Sequence, residues 1–222
     1  MLILGLECSV NACSVALVRG NQVLASRFVG ACSLQSTGHF FMRRSAETLM
    51  LLTQALFFSS TIDAPMVERV AVTRGPGSFT AIRAGLSAAH AFAFVAACPL
   101  IGLSTFDVLA FMYRQRYGQS ALRVLLPSSA GRVYEQDYDA GVVHVAIRDT
   151  ESMTEKTMEE AVDSLGERVL LVPPVLQAQV PEVCVPKVLY PQASATARLA
   201  RPMKEGDKHT TTAFYGKNPY AH

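Results

Sequence analysis

The stretch Ala71–Phe94, AVTRGPGSFTAIRAGLSAAHAFAF, joins an apolar run to a long helix almost free of charge, through two glycines that flank a proline. Gly75 and Gly77 permit backbone angles that other residues avoid, and Ser78 can cap the helix through its hydroxyl. Amides exposed at a helix start can bind an anion, although the lysine of a P-loop is missing here. Two interpretations stay open: a purely structural turn, or a phosphate-binding or interface turn built from Arg74, Gly75, Gly77 and Ser78, with Arg83 close by.

The helix after this turn carries small residues at helical spacing along one face. A second helix, expected from His39 to about Phe58, has apolar residues on one side and further apolar residues elsewhere. Helices that are apolar on more than one face are usually fully buried, and small residues let another helix approach closely. One small sheet cannot easily bury both helices all round, so either they are plain core or a partner protein covers the remainder. The candidate partner-binding residues are Met42, Leu49, Leu52, Leu56, Ala81, Ala84, Gly85, Ala88 and Ala91.

Apolar runs and turn residues on both sides of this stretch predict an α/β protein of two comparable halves. The first half, residues 1–102, has the order β-β-β-α-β-α, and the second half, residues 103–222, is smaller and degenerate. In the second half we expect helices over 105–118, 153–166 and 193–203 and strands over 122–127, 132–139, 142–149 and 168–172.

Composition excludes several classes of protein. Half of the 222 residues are apolar and 17% are charged, with a formal net charge of +2 and no Lys/Arg-rich run that would hold nucleic acid alone. Five cysteines without a Cys-x-x-Cys spacing argue against a disulfide framework or a thiolate zinc site, and favour buried thiols in a reducing cytosol. No apolar segment reaches the roughly 20 residues of a membrane helix, so we expect a cytoplasmic protein.

The same residues carry a resemblance to a known family. The motif RGPGSFTAIRAG at 74–85, after a strand and before an alanine-rich helix, resembles the signature of the TsaB (YeaZ) family. The opening LGLECSVNACSVAL at 4–17 is similar to the first hairpin of that family, and CPLIGLSTFDVLA at 98–110 resembles the segment that joins its halves. The resemblance implies an actin-like (ASKHA) fold of two ribonuclease-H-like halves, with mixed sheets flanked by helices.

The resemblance also implies a role in the bacterial complex that places a threonylcarbamoyl group on an adenosine next to the anticodon of tRNAs. By this resemblance the chain is a non-catalytic paralogue of the transferase TsaD, to which it binds through the two helices of its first half. A TsaE-type ATPase joins them, and ATP and a metal are expected on the partner subunits, with no cofactor on this chain alone. A homodimer is expected when the chain is alone, and tRNA contact only through the complex.

Departures from related enzymes favour a role without catalysis. Enzymes of the actin-like class that use ATP carry an aspartate at the end of the first strand, where this chain has Glu7, followed by Cys8. The catalytic paralogue binds its metal with two histidines four residues apart, whereas His39 is followed at that spacing by Arg43. We therefore predict no catalytic residue and no metal site. The alternatives are an actin-like enzyme (a small-molecule kinase or a glycoprotease-type metallopeptidase) and a homo-oligomeric structural protein.

Overall fold

The computed structural model describes residues 1–30, 45–141, 153–182, 186–203 and 213. Its first sheet has five strands in the order β3-β2-β1-β4-β5. Strands β1, β2 and β3 form an antiparallel meander, and β4 and β5 continue the sheet parallel to β1. The bounds are β1 (Leu2–Glu7), β2 (Ala12–Arg19), β3 (Gln22–Gly30), β4 (Arg69–Gly75) and β5 (Leu100–Ser104).

The second sheet repeats this topology. Strand β6 occupies the place of β1, with β7 and β8 antiparallel on one side and β9 and β10 parallel on the other. This repetition confirms the expected pair of ribonuclease-H-like halves. The bounds are β6 (Leu122–Pro127), β7 (Val133–Tyr138), β8 (Thr154–Lys156), β9 (Val169–Val172) and β10 (Lys187–Val188).

Helices cover both sheets in layers. Helices α1 and α2 lie on the outer face of the first sheet, α3 and α6 lie between the two sheets, and α4 and α5 lie on the outer face of the second sheet. A short 3₁₀ turn, Ala64–Met66, precedes β4. The helix bounds are α1 (Ser45–Ser59), α2 (Phe79–Ala96), α3 (Thr105–Tyr117), α4 (Met158–Asp163), α5 (Pro174–Gln177) and α6 (Ala193–Ala200).

The first sheet is buried on both faces, and every residue of its central strand, β1, is buried. Leu2, Leu4 and Leu6 pack under α1 and α2, whereas Ile3 packs toward the middle layer. Gly5 lets α6 approach β1 closely, because a Cβ at this position would lie 2.1 Å from the carbonyl oxygen of Ala193. The strand therefore holds two helix layers at once.

The last helix returns to the first half of the molecule. Arg69, at the start of β4, donates from Nη1 to the carbonyl oxygen of Ala200 (2.7 Å), which places a cation at the C-terminal end of α6. Strand β5 crosses the predicted boundary between residues 102 and 103, since Ser104 still pairs with Gly75 of β4. The boundary itself stays a prediction.

The outer face of the second sheet is held partly by charges. Arg123 makes two hydrogen bonds to the Asp137 carboxylate (Nε–Oδ1 2.7 Å, Nη2–Oδ2 2.8 Å) and one to the carbonyl oxygen of Ala161 in α4 (2.8 Å). Lys156 Nζ lies 2.5 Å from Oε1 of the buried Glu135. The outer face of the first sheet carries Leu2, Leu4 and Leu6 instead of such ion pairs.

The expected helix over 153–166 is wrong at its start. Residues Thr154–Lys156 pair with β7 as strand β8, and Glu155 accepts a hydrogen bond from the Ser128 hydroxyl (2.6 Å). The helix begins only after Thr157, whose hydroxyl accepts from the amide of Glu160 while the Glu160 carboxylate accepts from the amide of Thr157. The strand expected over 142–149 and the helix start expected at His39 lie outside the described residues.

Candidate partner-binding surface and glycine turn

Two of the small residues singled out on α2 face the chain's own sheet. Ala81 is buried, and its carbonyl oxygen accepts a hydrogen bond from the Cys8 thiol (2.9 Å). A Cβ at Gly85 would lie 2.7 Å from Cys8 Sγ, so this position needs glycine for α2 to approach β1. Ala84 and Ala88 are half-buried, and Ala91 is exposed. The sheet of the same chain covers Ala81 and Gly85, so neither is exposed to a partner, and partner contact by the rest of the stripe stays a prediction.

The apolar side predicted on α1 is also directed inward. Leu49 and Leu56 are fully buried against the first sheet, and Leu52 is half-buried against the same cluster. The leucine and valine side chains of β1, β2 and β4 need an apolar cover, and these residues provide it. Leu49 and Leu56 are thus not available to a partner docking on the surface. Met42 lies outside the described residues.

Large apolar side chains remain exposed on the other side of the same two helices. We call the set Met50, Leu51, Phe58, Phe94 and Val95 the outer face; their exposed fractions are 51, 62, 94, 87 and 59%. The rings of Phe57 and Phe92 pack with centroids 6.0 Å apart near the C-terminal ends of α1 and α2. Phe58 therefore lies at the same end of the helix pair as Phe94 and Val95.

Sequence patterns alone did not separate this outer face from the inner one. Both sides of α1 are apolar, and the small-residue spacing on α2 is the more conspicuous pattern. The signal that could have identified Phe94 is its position on the polar strip that holds Arg83, Ser87 and His90, whereas Val95 continues the stripe of Ala84, Ala88 and Ala91. A large, exposed aromatic residue on an otherwise polar strip is typical of a surface that a partner covers.

The glycine turn closes on the connection between β1 and β2. The amide of Ser78 donates to the carbonyl oxygen of Ser9 (2.8 Å), and a Cβ at Gly77 would lie 2.2 Å from that same oxygen. Ser78 is the N-cap residue of α2, but its hydroxyl accepts no hydrogen bond at the helix start, contrary to the prediction. One amide that an anion site would use is therefore already bonded within the chain.

The two arginines near the turn lie in different surroundings. Arg74 is half-buried, and its neighbour Gly75, the last residue of β4, is buried. Arg83 is exposed, and its guanidinium lies over the Phe79 ring, 4.8 Å from the centroid. This contact keeps Arg83 on the surface at the first turn of α2, on the strip that leads to the outer face.

The family model for TsaD, tRNA N6-adenosine threonylcarbamoyltransferase, matches residues 39–210. Among curated proteins, the chain is 29% identical to the tRNA threonylcarbamoyladenosine biosynthesis protein TsaB of Escherichia coli K12, over 62% of this chain and 55% of that protein. It is 26% identical to TsaB of Buchnera aphidicola from Acyrthosiphon pisum, over 77% of this chain and 73% of that protein. The chain belongs to the TsaD-related family, as a TsaB (YeaZ)-type member.

A solved structure supports the fold of this TsaB-type chain. YeaZ from Pseudomonas aeruginosa superimposes with a TM-score of 0.68 at 21% identity, covering 90% of each chain. The actin-like architecture is thereby confirmed. The match to the Escherichia coli protein spans little more than half of that relative's length.

In this TsaB-type chain Glu7 works as a cap of the first strand end. The carboxylate is buried, and its Oε1 accepts from the amide of Ser9 (2.7 Å) and from the Ser9 hydroxyl (2.5 Å). Burial raises the pKa of Glu7, and hydrogen bonding to Ser9 and Thr73 acts in the opposite direction. The extra methylene of glutamate thus turns its carboxylate back onto its own connection.

Two of the three cysteines in the described part of the chain behave as small apolar residues, whereas Cys98 is half-buried. Cys8 and Cys13 are buried, and burial raises the pKa of Cys8 strongly and that of Cys13 to about 12. The predicted burial of these two thiols is confirmed; Cys32 and Cys184 lie outside the described residues. Within the same part of the chain, no three His, Cys, Asp or Glu side chains lie close enough to hold a metal ion.

By length and composition, α2 passes as a candidate membrane span, the single such helix found in the described ranges. Its inner face, however, carries six buried residues that pack on the first sheet, as in the core helix of a globular domain.

Proposed function

We propose that this chain is a non-catalytic subunit of the machinery for tRNA threonylcarbamoyladenosine, and that it binds a TsaD-type transferase through the outer face of α1 and α2. The observation that carries the proposal is the outer face itself: five large apolar side chains, more than half exposed, on one helix layer. Family membership supplies the pathway, and the surface supplies the mode of action.

The physical reason is the cost of leaving this area in water. Burying a Leu, Val, Phe or Met side chain contributes about 1.5–3 kcal/mol. Aromatic residues near the centre of an interface carry much of the binding energy, which makes Phe58 and Phe94 the expected anchors. A chain kept without its partner would pair this face with a second copy, so we expect a homodimer in isolation.

We propose the remaining parts of the complex from the resemblance to the TsaB family. A TsaE-type ATPase would join the pair, ATP and the metal would be bound by the partner subunits, and tRNA would be held through the complex in the cytoplasm. The hydrogen bonds of the glycine turn support a structural role for this chain. The Ser9 amide donates to the Glu7 carboxylate, and the Ser9 carbonyl oxygen accepts from the Ser78 amide.

Co-expression with the TsaD-type transferase of the same organism tests the proposal. Wild-type chain and the Phe28→Glu control should co-elute with the transferase at micromolar concentration, whereas Phe94→Glu should elute separately. Phe28 is the matched control because its ring is exposed (45%) but lies by α6, on the other side of the first sheet. Circular dichroism should show the same fold and similar Tm for all three chains. Separate elution of the wild-type proteins, or pairing by Phe94→Glu, would show that the proposal is wrong.

The outer face also fits a homo-oligomeric protein that needs no transferase. Light scattering separates the two possibilities, because the transferase should convert the homodimer into a heterodimer. A homodimer that persists beside an excess of transferase would favour the homo-oligomeric function.

A further inference from the structure

A cavity of about 370 Å³ lies beside α3 and α6, away from the outer face. Phe111 and Met112 of α3 and Ala195 of α6 give it an apolar floor. Phe28 of β3 and Tyr190, which follows β10, form an aromatic wall with ring centroids 5.5 Å apart. This volume falls within the range of small-ligand sites.

The charges around the cavity are positive. Arg116 and Arg198 line it, and no Asp or Glu is found among the described residues of its wall. Arg198 is held in place by a hydrogen bond from Nη2 to the carbonyl oxygen of Asn21 (3.0 Å). Just outside the wall, the Lys187 ammonium lies 5.6 Å from the centroid of the Tyr117 ring, which adds a third cation. Such a cavity is complementary to an anion.

We propose that this cavity binds one nucleotide unit, with the base against Phe28 and Tyr190 and the phosphate at Arg116 and Arg198. Stacking of a base on an aromatic side chain contributes about 1–3 kcal/mol, and guanidinium groups match phosphate oxygens geometrically. Gln115 and Gln192 line the same cavity and supply amide donors and acceptors for a base edge. An aromatic wall, neutral amides and two arginines together fit a nucleotide better than a simple inorganic anion.

The site is separate from the surfaces already described. Glu7, the glycine turn and the outer face contribute no residue to the wall of the cavity. The proposal goes beyond subunit pairing and does not depend on it, so either can fail while the other holds. The unit could come from a free mononucleotide or from a single-stranded RNA, and the two sources share this chemistry.

Isothermal titration calorimetry of the full chain at low salt tests the site with AMP, adenosine, ribose 5-phosphate and a six-residue oligoadenylate. AMP should bind with a Kd below about 1 mM, and adenosine and ribose 5-phosphate should each bind at least about tenfold more weakly. Arg116→Gln and Phe28→Ala should each weaken binding by about tenfold. Arg201→Gln, the matched control, removes an exposed arginine at the end of α6 that does not line the cavity and should leave binding unchanged.

The outcomes are distinct. Binding of AMP that both variants weaken identifies a free-nucleotide site, and binding of the oligoadenylate alone, weakened in the same way, identifies a nucleotide of an RNA strand. Absence of both interactions would overturn the proposal. Binding that Arg116→Gln and Phe28→Ala leave unchanged, or adenosine binding as tight as AMP binding, would overturn it as well. If Phe28→Ala binds AMP weakly but still co-elutes with the transferase, the weaker nucleotide binding is independent of subunit pairing.

Discussion

Gly85→Ala probes the closest contact between α2 and the first sheet. The new Cβ would lie 2.7 Å from Cys8 Sγ, about 1 Å inside normal van der Waals separation. Cys8 cannot swing away freely, because its thiol donates to the carbonyl oxygen of Ala81 on the same helix. The next neighbour, Val72 Cγ2 at 3.7 Å, is at an ordinary contact distance. The clash is therefore with one sulfur atom.

Two opposing effects set the magnitude. Overpacking a well-filled core lowers the free energy of unfolding by about 1–3 kcal/mol, whereas replacing glycine by alanine inside a helix raises it by about 1 kcal/mol. Gly85→Ala alone should lower the free energy of unfolding by up to about 2 kcal/mol, or lower Tm by about 2–4 °C per kcal/mol. With Cys8→Ala in the background the sulfur is gone, and Gly85→Ala should raise the stability by about 1 kcal/mol.

A double-mutant cycle measured by urea unfolding checks this reasoning. The coupling energy between Cys8→Ala and Gly85→Ala should be about 1–3 kcal/mol in favour of the double variant. Ser87→Ala, an exposed change on the same helix, serves as a control and should be nearly neutral. Equal effects of Gly85→Ala in both backgrounds would mean that α2 does not lie against Cys8.

Two further predictions concern the second half. Burial raises the pKa of Asp137, but its hydrogen bonds with Arg123 and the nearby cations hold it, on balance, below the usual 3.8. The stability that ionised Asp137 contributes is therefore fully present above about pH 4. It is lost as the pH falls through the lowered pKa that Asp137 has in the folded state. In urea unfolding, Asp137→Asn should lose less stability between pH 7 and pH 3 than wild type; an equal loss would contradict the assignment. Thr157→Ala removes the N-cap of α4 and should lower the free energy of unfolding by about 0.5–2 kcal/mol. Glu159→Ala, in the same helical turn, should lower it by less. Equal losses in thermal unfolding would count against the capping box with Glu160.

Local signals predicted much of the fold. Apolar runs predicted β1, β2 and β4, and the pair Ser104-Thr105 indicated the start of α3, where the Ser104 hydroxyl accepts from the amide of Phe106 (3.2 Å). Each of these signals depends on neighbours in the chain. The error at Thr154–Lys156 has the opposite origin, because these residues become a strand only by pairing with β7.

The orientation of the helices could not be predicted in the same way. Helical spacing identifies a face but not its neighbour, so the alanine stripe fits a partner helix and the chain's own sheet equally well. The contact that decides is between Gly85 and Cys8, which are far apart in the sequence and meet only once the sheet has formed. The exposed position of Phe94 follows from that docking, and that of Phe58 follows from the packing of Leu49 and Leu56 of α1 on the same sheet.

Site-specific photocrosslinking tests the central claim, that the outer face meets the transferase. A benzophenone side chain is placed at position 94, and at position 28 as a control on the far side of the sheet, and each chain is irradiated with the TsaD-type subunit. A covalent adduct from position 94 and none from position 28 is the result we expect. Adducts from position 28 alone, with position 94 unreactive in a formed complex, would contradict it.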